Sequence, residues 1–275
     1  MAKAFWTTAL VLASSLLWTD ASRAAIIHVP EDFKSIQQAI EMAAPGDEIV
    51  VKEGVYRENL LIQKPLVLKS VAGASSTLIQ AADESRPSIK IDKAVNATVT
   101  GFSATGSLVA GVLTSGASNV TITGCQFTDN GSGMVMHGTS NSTLTDNISN
   151  SNAQYGLYME KSDNNRVERN TASLNRDKGF FISNSDGNRV VANNVNLNSW
   201  DGIMVYASTG NIITGNKTLR NTYGIVISES NGNEVSENTT IPNLFLILPI
   251  FLIYLGVVSY LLQKSLLKAL YKERG

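Results

Sequence analysis

The segment Asn165-Arg166-Val167-Glu168-Arg169-Asn170-Thr171-Ala172-Ser173-Leu174-Asn175-Arg176-Asp177-Lys178-Gly179-Phe180-Phe181-Ile182-Ser183 returns 23 residues later. There it reads Asn188-Arg189-Val190-Val191-Ala192-Asn193-Asn194-Val195-Asn196-Leu197-Asn198-Ser199-Trp200-Asp201-Gly202-Ile203-Met204-Val205-Tyr206. The same frame runs from about Asn119 to Asn243 in steps of 22 or 23 residues. One column reads Asn147, Asn170, Asn193, Asn216, Asn238, and a second reads Asn130, Asn152, Asn175, Asn198, Asn221. A third holds Gly133, Gly156, Gly179, Gly202 and Gly224, and an apolar column threads Ile122, Leu144, Val167, Val190, Ile213, Val235. A fixed period of this size marks a solenoid.

The residue types choose which solenoid. After each column glycine comes an alternating run rich in β-branched and aromatic residues, which is strand chemistry rather than a helical stripe. Three short strands plus turns fill 22–23 residues, the length of one coil of a parallel β-helix. A single coil cannot bury its apolar face, but stacked coils share a core. The asparagines are expected to stack as structural ladders at the turns, bonding along the stack and to turn backbone. Leucine-rich repeats share the period but need a leucine consensus that is missing here. The expected fold class is all-β, a parallel β-helix.

The chain has 275 residues, a formal net charge of −1 and 16% charged residues, which excludes the basic footprint of a nucleic-acid-binding protein. Cys125 is the only cysteine, so neither a disulfide framework nor a CxxC metal site can form. It falls in the Asn147 column, where a small side chain fills a ladder slot.

The ends differ from the middle. Residues 1–24 read as an export signal: Lys3, an apolar run from Ala4 to Trp18, and small residues at Ser22 and Ala24 for cleavage. Residues 25–48 form an N-terminal cap whose helix, Glu31 to Ala43, is expected to be capped by Asp32 and to cover the open end of the solenoid. The β-helix occupies 49–243. Residues 244–262 are 19 residues without a charge, the length of a membrane-spanning helix. A basic tail follows at 263–275, with Lys264, Lys268, Lys272 and Arg274. By the positive-inside rule the tail is cytoplasmic and the solenoid lies outside as a single-pass protein.

The opening His28-Val29-Pro30, then Ser35-Ile36-Gln37-Gln38-Ala39-Ile40, Pro45-Gly46-Asp47-Glu48-Ile49-Val50-Val51, Gly54-Val55-Tyr56-Arg57-Glu58 and Lys64-Pro65-Leu66-Val67-Leu68 resembles that of NosD-family proteins and related exported right-handed β-helix proteins. The later Asn-x-(Val/Ile)-x-x-Asn coils are similar to the same family, so the resemblance covers 26–243. It implies a right-handed β-helix and a periplasmic accessory factor in copper-site maturation. Its implied partners are ABC transporter subunits or a copper chaperone. The opening also resembles pectin methylesterases and other carbohydrate-active β-helix proteins, which implies polysaccharide binding or processing as the alternative.

The residues themselves argue for binding rather than catalysis. Only Gly54-x-Tyr56-x-Glu58 of the esterase-like opening is present, and Asp163, Asp177, Asp186 and Asp201 fall in different columns, mostly at turns. Copper brings Met134, Met136 and His137 into view as soft donors beside an imidazole. Both methionines lie in core columns and His137 in an outward one, so no metal ligand is assigned and no cofactor is required. The outward positions of the strand after the glycine carry Tyr158, Phe181, Met204 and Tyr206. Tyr155, Trp200 and Tyr223 stand just before the glycine, with Asp177 and Asp201 nearby. Stacked one coil per ~4.8 Å, they are expected to form an aromatic and acidic strip that binds a sugar chain or a protein.

Overall fold

The computed structural model describes residues 24–272, and there the chain winds as a parallel β-helix. Each coil contributes one strand to each of three parallel sheets, in the order sheet 1, sheet 2, sheet 3. The sheets hold ten, nine and eight strands. The strands are mostly three to six residues long because a turn interrupts them at each corner. Parallel crossovers of this kind take the right-handed sense by default. The expected export signal, 1–24, lies outside the described residues apart from Ala24.

The columns seen in sequence are stacks in space. Ile122, Leu144, Val167, Val190 and Ile213 are in register in sheet 1 and at most 1% exposed. Met134, Leu157, Phe180 and Ile203 are in register in sheet 3, also fully buried. The column glycines precede these sheet 3 residues for a steric reason rather than a conformational one. A Cβ placed on Gly179 would lie 2.0 Å from Cγ1 of Val195, the inward residue of the facing sheet 2 strand. The core is too thin at that point for two side chains.

The asparagines form ladders at the corners. Asn147, Asn170, Asn193, Asn216 and Asn238 bond in sequence: each peptide N–H donates to the Oδ1 of the next, and each Nδ2 from Asn147 to Asn216 donates to the same oxygen. The Nδ2 groups also donate to carbonyls of the coil before, such as Leu144 for Asn170. A second ladder runs through Asn130, Asn152, Asn175, Asn198 and Asn221, and a third from Ser142 through Asn165, Asn188 and Asn211 to Asn233. Turn residues beside them take the left-handed conformation, among them Asp146, Arg169 and Ala192. No buried side-chain polar atom among the described residues lacks a partner, so the burial penalty of these amides is met in full. Cys125 fills the ladder slot expected of it: its N–H donates to Oδ1 of Asn147, and burial pushes its thiol up to about 11.

At the N-terminal end helix α1 (Ile36–Met42) covers the core with Ile36, Ala39 and Ile40. Its cap is Ser35 rather than the expected Asp32, whose carboxylate instead accepts from the His28 peptide. Glu58 holds this helix in place. Its carboxylate accepts from Ser35 Oγ and from the peptides of Ile36 and Gln37, so the surviving Gly-x-Tyr-x-Glu motif serves the fold. Gln37 in turn takes the Leu61 N–H on the edge of the first sheet 3 strand.

At the other end helix α2 runs from Leu244 to Lys272, with Pro249 inside it. It contains and outruns the expected span at 244–262. Among the described residues no helix is long and apolar enough to cross a membrane. The side chains of 244–247, 250 and 266–272 lie outside the described set, so the spanning reading has no support beyond the sequence.

Candidate functional site

The outward face of sheet 3 is built from three adjoining rows. The central row is Val135, Tyr158, Phe181, Met204, Val226. Beside it, one residue before the column glycines, lie Ser132, Tyr155, Lys178, Asp201 and Tyr223, linked by ladder bonds such as Gly156 N–H to Lys178 O and Gly179 N–H to Asp201 O. The next row out is Gln154, Asp177, Trp200, Thr222. Strand alternation points the central row away from the core because its neighbours on either side point in.

Tyr155, Tyr158 and Phe181 come together as a three-ring cluster. Tyr158 and Phe181 stack with centroids 5.3 Å apart at 21°, and Tyr155 leans on them at 5.4 and 5.6 Å. Lys178, which the sequence reading passed over, sits at the centre. Its ammonium lies 5.5 Å from the Phe181 centroid and 6.0 Å from that of Tyr155. It pairs with Asp177 at 2.9 Å and stands 3.9 Å from Asp201. Its column was visible in sequence, but a lysine beside a turn aspartate reads as ordinary solvated charge.

Burial sets the electrostatics. Desolvation holds the Asp201 carboxyl above the ordinary carboxylate range, with Lys178 pulling against it. Desolvation and then the Asp177 charge push the Tyr155 phenol up, and Tyr158 rises by desolvation and then by Glu160. The Lys178 ammonium bonds to Asp177 and stands near Asp201, so the cluster sets polar groups beside an apolar floor.

The remaining strip residues do not join this cluster. Trp200 is 56% exposed in the outer row, two positions before its glycine. Tyr223, equally exposed, stacks on Asp201 instead of on Trp200. Tyr206 belongs to the row of His137, Glu160 and Ser183, and its hydroxyl donates to Glu229. Asp163 and Asp186 share one turn column, contrary to the expectation: each accepts a peptide N–H from the coil above.

The copper donors do not converge. Met134 and Met136 are buried in the core, while His137 points outward and meets Glu160 at 3.0 Å. Cys125 lies in its ladder slot with its thiol directed at backbone carbonyls. Among the described residues no three His, Cys, Asp or Glu side chains are grouped as a metal site. A soft-donor copper centre does not fit these residues.

Residues 40–201 and 191–245 match the family described as "Periplasmic copper-binding protein (NosD)". No curated protein matches the sequence. Among solved structures, the chain is similar to the enzymatically active domain of a bacteriophage CBA120 tailspike protein, at 13% identity and TM-score 0.60. That match covers 80% of this chain and 43% of the tailspike domain, so the chain spans less than half of that relative. A periplasmic alginate epimerase AlgG double mutant matches at 18% identity and TM-score 0.53, over 78% of this chain and 68% of the other. Pectate lyase Pel9A matches at 16% and 0.52, over 72% and 74%. At these identities the likeness extends to the fold alone.

Proposed function

The chain belongs to the NosD family, and we propose that it is an accessory protein on the outer side of the cytoplasmic membrane that works by contact. Its partners in this reading are ABC transporter subunits or a copper chaperone. Copper-site maturation is then assisted without a copper centre in this chain. The observation that carries the reading is the contrast on one strand stack: the soft donors Met134 and Met136 face inward, while Tyr155, Tyr158, Phe181 and Lys178 gather on the outside. The uncharged run 244–262 followed by a basic tail supports attachment by a single spanning helix with the tail in the cytoplasm.

The test is affinity purification of the full chain from membranes in mild detergent, with metal analysis. Transporter subunits or a chaperone are expected to co-purify and to be lost with Tyr158→Ala plus Phe181→Ala. Retention of the same partners by that double variant overturns the face as their docking surface.

A second reading, glycan binding, is favoured by the alignment of Tyr158 and Phe181 along the solenoid axis, where successive sugar rings would stack. The carboxylates of Asp177, Asp201, Glu160 and Glu229 favour an uncharged chain over a uronate polymer. A glycan array separates the readings.

A further inference from the structure

Exposed apolar side chains gather on one edge of the solenoid. Among the described residues from Thr98 to Asn243, Ile227 and Val235 are exposed only because the core of the last coil is open. Every other exposed large apolar side chain there lies at the corner between sheets 2 and 3 or on a strand end beside it. Leu108 and Val109 stand on this edge in an early coil, and Leu174, Leu197, Trp200, Tyr223 and Ile241 in the last ones. The two leucines sit against their own backbone preference. Both are left-handed, at φ 60° and 58°, in the turn column that also holds Gly106, Asp129, Ser151 and Arg220. That conformation disfavours a bulky apolar side chain. Neither leucine gains burial in return, at 56% and 46% exposed.

The chain also leaves the solenoid from this edge. Ile241 ends the last strand, the Asn243 N–H still donates to Asn221 O at the same corner, and α2 with its uncharged run 244–262 starts at Leu244. We propose that the edge rests on the surface of a phospholipid bilayer, the membrane that this run enters in the single-pass reading above, on which the inference depends. A bilayer entered at Leu244 lies next to Ile241. The solenoid can then set Ile241 and the two leucines at the lipid boundary, with Trp200 and Tyr223 at headgroup level, where such rings are favoured. Arg176 and Arg220, exposed on the same edge, suit anionic headgroups. Asp177 and Asp201 are matched by Lys178. Other carboxylates of the late coils, Glu168, Glu229 and Glu237 among them, lie on sheet 1 or at the other two corners. A bilayer on this edge leaves the Tyr155, Tyr158 and Phe181 cluster facing sideways, open to a partner in the same membrane.

The test uses the full chain in vesicles of phosphatidylcholine and phosphatidylglycerol whose acyl chains carry a doxyl quencher. Leu197→Cys and Arg189→Cys are each labelled with a nitrobenzoxadiazole dye. Arg189 is exposed on sheet 1, across the same coil from Leu197, and buried Cys125 takes no dye in the folded chain. Dye at 197 is expected to shift to the blue and lose most of its emission to the quencher, and dye at 189 to do neither. Alkaline carbonate washing tests the spanning helix separately. A retained chain with dye at 197 unquenched, or quenched no more than at 189, overturns the docked edge and leaves the helix standing. A chain that washes off overturns the helix and the inference with it. Dye at 197 that is unquenched in lipid, yet shielded from iodide in native membranes, means that a protein covers the edge and also overturns the proposal.

Discussion

Asn193 gives Asn216 two hydrogen bonds at once: its peptide N–H and its side-chain Nδ2 both reach Oδ1 of Asn216, each at 2.9 Å. One oxygen thus ties together backbone and side chain of the neighbouring coil. Asn193 meanwhile accepts the same pair from Asn170 and donates to the Val167 carbonyl. Asn193→Ala is expected to orphan several buried groups and cost on the order of 2–4 kcal/mol, read as a lower urea midpoint. Asn193→Asp should cost more at neutral pH, because a carboxylate oxygen then faces Oδ1 of Asn216. Burial raises the pKa of the introduced acid in the folded state, so stability should return as pH falls and be lost as pH rises.

Gly179→Ala is expected to destabilise by about 1–3 kcal/mol through overpacking, since its Cβ would collide with Val195 Cγ1 and also with the Gly202 carbonyl at 2.7 Å. Adding Val195→Ala removes only the first collision. The double variant should therefore recover part of the loss, measured as a melting temperature between the two.

Asp201 sets a pH dependence of known sign. Its carboxyl titrates higher when folded than when unfolded, because burial outweighs Lys178. The folded state therefore binds more protons between those two values, and stability falls as pH rises through that window. Asp201→Asn should flatten this slope in unfolding curves recorded from acid to neutral pH. An unchanged slope would mean that Lys178 fully offsets the burial.

Cys125 should resist thiol reagents in the native protein, being 0% exposed with its thiol pushed up to about 11. Labelling is expected only on opening of the coil. Its rate should therefore follow denaturant concentration in parallel with loss of the β-sheet signal.

The solenoid was legible because its signals are local and repeated: Asn170, Asn193 and Asn216 each mean little alone and together fix the frame. The inward and outward columns of sheet 3 followed from strand alternation. The outer rows were less legible, since coils of 22 and 23 residues are mixed and the difference falls within turns. Trp200 and Tyr223 both stand near their glycines, yet they belong to different rows because 22 residues separate Tyr223 from Asp201. Lys178 was hidden because its role depends on partners supplied by three successive coils: Tyr155 below, Phe181 beside it and Asp201 above. The helix cap is Ser35 rather than Asp32 because Glu58, 23 residues beyond Ser35, supplies the acceptor for the first turn.

The ladders also make length an inheritable variable. Each coil offers below what it accepts above, so Asn188 to Gly210 could be copied once as a 23-residue unit, with Asn211 following the copy as it followed the original. Such a duplication would lengthen the outer face by one ~4.8 Å step and leave both ends untouched. Because the joining bonds are the same at both boundaries of that unit, this architecture can change its reach in whole coils without leaving a ladder unpaired.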